Sequence, residues 1–69
     1  MLQTALTNLT LEGTAEVNGT GWKIALDNGD SLYIDCGDEG FTFQVYDAEN
    51  DFFSDVQELD SVSELKGLL

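Results

Sequence analysis

Residues 15–46 read AEVNGTGWKIALDNGDSLYIDCGDEGFTFQVY, and the phase of their apolar residues decides the fold. Ala15 and Val17 share one face, as do Trp22, Ile24 and Leu26. Leu32, Ile34 and Cys36 share another, followed by Phe41, Phe43 and Val45. Period-two alternation marks strands buried on one side. Between the runs lie Asn18-Gly19-Thr20-Gly21, Asp27-Asn28-Gly29-Asp30 and Gly37-Asp38-Glu39-Gly40, built from residues that turn a chain. The stretch predicts a four-stranded antiparallel meander.

The register follows from the same phase, because a slip of one residue would turn every apolar side chain to water. Val17 opposite Trp22 keeps the first hairpin in phase, and Cys36 opposite Phe41 keeps the third. The central hairpin is a choice between two loops. A two-residue Asn28-Gly29 turn would pair Ile24 with Tyr33 and put the apolar faces out of phase. A three-residue loop, Asp27-Asn28-Gly29 with Gly29 left-handed, pairs Ile24 with Leu32 and restores them. The three-residue loop is expected.

After Tyr46 the period changes. Val56, Leu59, Val62 and Leu65 recur every three residues and Leu69 follows, which predicts a C-terminal helix, or two short ones broken near Ser61. Ser54 with Gln57, and Ser61 with Glu64, have the spacing of capping boxes. At the other end, Leu2, Leu6 and Leu9 fit a short helix. Leu9 and Leu11 equally fit the start of the first strand, with Gly13 as a bulge. The fold class is therefore α+β: one small domain, a three- to four-stranded antiparallel meander packed against a C-terminal helix, with or without a short N-terminal helix.

The composition is lopsided. The 69 residues include 14 Asp/Glu against two Lys/Arg and no His, a formal net charge of -12. A small domain needs a net charge of only about 2 to 8 to stay soluble, and the excess adds self-repulsion to the compact state. A basic partner, a bound cation or a salty medium would each account for it. Acidity alone can mean disorder, but 42% hydrophobic residues in regular spacing make a folding chain. The single cysteine leaves no internal disulfide and points to a reducing compartment. No signal peptide or membrane-spanning run is visible, so a cytoplasmic location is expected.

The register also gathers charge. With Cys36 opposite Phe41, Asp30 lies near Asp47, and Gly13, hence Glu12, reaches the same end of the sheet. That pole is expected to collect Glu12, Asp27, Asp30, Asp47, Glu49 and Asp51, against only Asp38 and Glu39 at the other. Asp55 and Glu58 would extend the acidic surface along the helix, since 51, 55 and 58 share a helical face. Tyr33 and Tyr46 fall on the outward sheet face with Asp35, Thr42 and Gln44, either as cross-strand packing partners or, beside an acidic rim, as anchors of an interface. These residues form the candidate partner-binding set.

In size, acidity, compactness and lack of catalytic residues the chain resembles the small phage-encoded proteins that mimic DNA, several anti-CRISPR proteins among them. The resemblance implies a non-catalytic inhibitor acting in the host cytoplasm. Its partner would be a basic nucleic-acid-binding protein, a CRISPR effector subunit among the candidates, and its target the DNA-contacting groove, with no direct binding to nucleic acid. Two alternatives stay open. Asp47, Glu49, Asp51, Asp55 and Glu58 stand at positions 1, 3, 5, 9 and 12 of an EF-hand-like loop. Against calcium, Phe52 occupies the place of the turn glycine and Ser54 an apolar position. The other alternative is a merely solvated acidic surface.

An enzyme is not expected. The chain offers no His, no Ser/His or Cys/His pair and no phosphate-binding glycine loop, and a paired-carboxylate cleft has little room beside so small a core. Cys36, Trp22 and the phenylalanines read as core. No cofactor is implied. An open edge strand leaves monomer and homodimer both available.

Overall fold

The computed structural model describes residues 1–69, in the order α1 Leu2–Leu11, β1 Ala15–Asn18, β2 Gly21–Ala25, β3 Ser31–Gly37, β4 Gly40–Asp47, β5 Phe52–Phe53, β6 Gln57–Leu59 and α2 Val62–Leu68. The first four strands form the antiparallel meander, with β5 and β6 both paired to β4. Val17 opposes Trp22, Ile24 opposes Leu32 and Cys36 opposes Phe41. The central hairpin closes with the longer loop: Leu26 N–H donates to the Asp30 carbonyl at 2.8 Å, and Gly29 sits at φ 93°.

The N-terminal segment is helical. Leu2 and Leu6, one turn apart, are buried, and Leu9 packs beside them. Gly13 (φ 84°) ends the helix instead of bulging a strand. Its N–H donates to the Thr10 carbonyl and that of Thr14 to the Leu9 carbonyl, at 3.1 and 2.9 Å. This pair of bonds is the Schellman ending, which needs a left-handed residue and so favours glycine.

The C-terminal expectation is corrected. Residues 52–59 are not helical; they return along the open edge of β4. Asp47 opposes Phe52 and Tyr46 opposes Phe53, whereas further on Phe43 opposes Gln57 and Phe41 opposes Leu59. The register therefore gains one residue between Ser54 and Gln57, a β-bulge. The bulge reverses the phase of the edge: Phe53 joins Tyr46 on the outward face, and Leu59 turns inward to 2% exposure. Ser54 does not cap a helix. Its Oγ accepts the Val45 N–H at 2.9 Å, and its own N–H donates to the Val45 carbonyl at 2.9 Å. Of the residues after Tyr46 only α2 is helical, and there the capping signal is real: Ser61 Oγ accepts the Glu64 N–H at 3.1 Å. The Glu64 carboxylate reaches back to the Asp60 N–H, also at 3.1 Å.

The sheet therefore has more strands than expected, and both helices share one face of it. Leu2, Leu6 and Leu65 from the helices meet Ala15, Ile24, Leu32, Ile34, Phe43 and Leu59 from the strands in one core. Gly21 is buried where β2 crosses β3; a Cβ there would lie 2.9 Å from the Ile34 carbonyl carbon and closer still to its oxygen. Cys36 is exposed, although it lies in an inward-facing row. It pairs with Phe41 near the end of the sheet, beyond Gly21, the first residue of β2, which pairs with Asp35, and it is left open to solvent. Phe52 and Phe53, 63% and 49% exposed, are not core either.

Candidate surface for a basic partner

Every acidic side chain is at least partly solvent-accessible; no charged residue is buried. By strand register, Glu12, Asp27, Asp30, Asp47, Glu49 and Asp51 all lie toward the end of the sheet where β4 turns into β5. Three of these carboxylates have structural work. Asp47 Oδ1 accepts the N–H groups of Glu49 and Asn50 at 3.0 and 3.2 Å, and its Oδ2 accepts Asn50 Nδ2 at 2.8 Å. Those bonds hold the Asp47 carboxyl below its ordinary pKa, the Asn50 side chain contributing most. Asp30 Oδ1 accepts the Ala48 N–H at 3.3 Å, and Asp30 Oδ2 accepts Asn28 Nδ2 at 3.2 Å. Asp30 thus ties the β2–β3 loop to the β4–β5 turn. Asp51, which closes that turn at φ 51°, accepts the Tyr46 hydroxyl. This bond pushes the phenol above its usual pKa.

The rest of the acidic set lies elsewhere than expected. With no helix over 51–58, Asp55 sits on the bulge and Glu58 on β6 opposite Thr42. Glu58 and Asp60 join Asp38 and Glu39 around an open groove at the far end of the sheet, also lined by Leu2 and Phe41. That pole is not limited to Asp38 and Glu39. The five acids of the EF-like spacing do not converge: Asp47, Glu49 and Asp51 belong to the turn, and the β5 strand and the bulge separate them from Glu58. No three His, Cys, Asp or Glu side chains are grouped to hold a metal ion.

The outward sheet face carries what the sequence reading missed. Tyr33 and Tyr46 both lie on it, and Phe53 bridges them, its ring centroid 5.6 Å from Tyr33 and 4.8 Å from Tyr46. Lys23, beside Tyr33 in the register, places Nζ 5.7 Å from the Tyr33 centroid. Glu16, Asp35 and Glu58 share this face by strand alternation. The only sequence signal for Phe53 was its position one turn beyond Tyr46, and reading it required knowing that 52–53 is a strand. No protein-family model, curated protein or solved structure matches this chain.

Proposed function

We propose that this protein is a non-catalytic inhibitor that occupies a basic, nucleic-acid-binding surface as an acidic mimic of the nucleic acid. The DNA-contacting groove of a host defence complex such as a CRISPR effector is the kind of surface it fits. The observation that carries this reading is 14 acids against two bases on 69 residues, with no acid withdrawn into the core. Duplex DNA presents one negative charge per about 1.7 Å of axis, and proteins meet it with Lys/Arg-lined grooves. A compact body of 32 × 26 × 23 Å with its carboxylates densest at the β4–β5 end of the sheet presents a similar field. Its association would be steered by charge and weakened by salt.

The test is capture from host lysate at low and high salt, followed by displacement of labelled duplex DNA from the captured protein. Displacement that falls steeply with salt is expected. Simultaneous, independent binding of DNA and this chain would overturn the reading. Position is separated from bulk charge by two double variants of equal charge change. Asp27→Lys with Glu49→Lys avoids the turn-capping carboxylates and is expected to abolish displacement. Asp38→Lys with Glu39→Lys is expected to cost much less.

A further inference from the structure

We propose that the bare outward face of the sheet, centred on Tyr33, Tyr46 and Phe53, seats arginine side chains of the basic partner. The inference rests on the mimic reading and names the chemistry by which the surface would hold its partner. Three observations converge on it. First, the three rings form one contiguous aromatic patch that neither helix covers, with Phe53 about half exposed at 49%. Second, one of the only two basic residues in the chain, Lys23, already lies over the Tyr33 ring, within the distance at which a ring face attracts a cation. Third, the patch is rimmed by carboxylates: Asp35 two residues along the strand from Tyr33, Asp51 at the Tyr46 hydroxyl, and Glu16 and Glu58 to either side.

Charge complementarity selects the occupant. A second copy of this chain would bring another -12 against the same rim, so self-association through this face is opposed. A cationic partner is favoured, and among cations arginine. Its planar guanidinium stacks on aromatic faces, is weakly hydrated, and can meet a neighbouring carboxylate with two parallel hydrogen bonds. A lysine ammonium is a strongly hydrated point charge and gains less from the rings. The arrangement therefore discriminates arginine from lysine at equal charge, which a purely electrostatic surface would not.

The test uses the full chain with octa-arginine and octa-lysine peptides, by calorimetry at about 0.15 M salt, where charges more than about 8 Å apart are largely screened. Octa-arginine is expected to bind about tenfold more tightly, as two or more exposed cation–π contacts would give. Amide shifts should appear at Lys23, Tyr33, Tyr46 and Phe53. Tyr33→Leu with Phe53→Leu should remove the discrimination while circular dichroism stays native. Asp35→Asn, a surface change that leaves the core intact, should alone lower octa-arginine affinity about threefold. Equal affinity for the two peptides would overturn the proposal, as would discrimination that survives the double leucine variant, or amide shifts confined to residues 27–30 and 47–51. The two readings fail separately. Arginine selectivity without displacement of DNA supports the seat and removes the mimic. Displacement of DNA at unchanged potency by the double leucine variant removes the seat and leaves the mimic.

Discussion

The two faces of the sheet differ in what covers them. On the helix side, Leu6, Ile24, Leu32, Ile34 and Leu65 are each no more than 1% exposed. On the other side, Phe53 packs against both Tyr33 and Tyr46, with carboxylates around them. The same alternation of residues along each strand feeds both faces. One therefore carries most of the stability and the other faces solvent, an arrangement that antiparallel sheets permit and buried parallel sheets do not. Substitutions on the two faces should consequently move different measurements.

The largest expected effect is on the covered face. Leu32→Ala removes a side chain with 0% exposure at the centre of the core. It should cost about 3 kcal/mol by urea unfolding, a large share of the roughly 3 to 10 kcal/mol that a domain of this size has in total. A loss under about 1 kcal/mol, below the usual range for such truncations, would mean that the covered face is not the core.

Next comes the strand crossing that serves both faces. Gly21→Ala would press a methyl group into the Ile34 carbonyl. Relief requires β2 and β3 to separate locally, at about 2 kcal/mol. Gly67→Ala, with nothing within 4 Å of the added carbon, should leave stability unchanged or raise it. If both variants denature at the same urea concentration, the close approach of β2 to β3 is wrong.

On the bare face, Tyr33→Leu with Phe53→Leu loses two ring pairs and should cost about 1 to 1.5 kcal/mol. Thermal melts would reveal a greater loss, and with it an aromatic cluster that holds the sheet together. In that case the division between the faces breaks down.

The smallest effect is electrostatic and belongs to neither face. Asp47 has its pKa lowered by the turn it caps. Its contribution to stability is complete above the ordinary carboxylate value of 3.8 and is lost as pH falls through the lowered folded-state value. A carboxyl-detected NMR titration should find Asp47 below 3.8, and Asp47→Asn should remove its share of the acid-side slope. A midpoint at or above 3.8 would mean that the Asn50 bonds do not form in solution.

Much of this architecture was legible from residues 15–46. Three hairpins with one apolar face each admit a single phase, so Val17–Trp22, Ile24–Leu32 and Cys36–Phe41 followed from sequence. The gathering of Asp27, Asp30 and Asp47 at one end followed in turn. The candidate site was legible only in part. Tyr33 and Tyr46 could be assigned to the outward face, but Phe53 could not, and Asp55 and Glu58 were assigned to a helix that does not form.

What the sequence determined by itself was whatever depends on neighbours along the chain: alternation, turn glycines, and the Ser61–Glu64 cap. What only the tertiary structure decided was residues 52–59. There the three-residue spacing of Val56, Leu59, Val62 and Leu65 is shared between a bulge, a strand and a helix, and it imitates a single helix by coincidence. The deciding force lies outside the segment. The outer edge of β4 presents unpaired N–H and C=O groups, and a chain leaving a tight turn beside that edge satisfies them by running back along it. Ser54 then bonds to Val45, and the bulge beside it turns Phe53 outward and Leu59 inward.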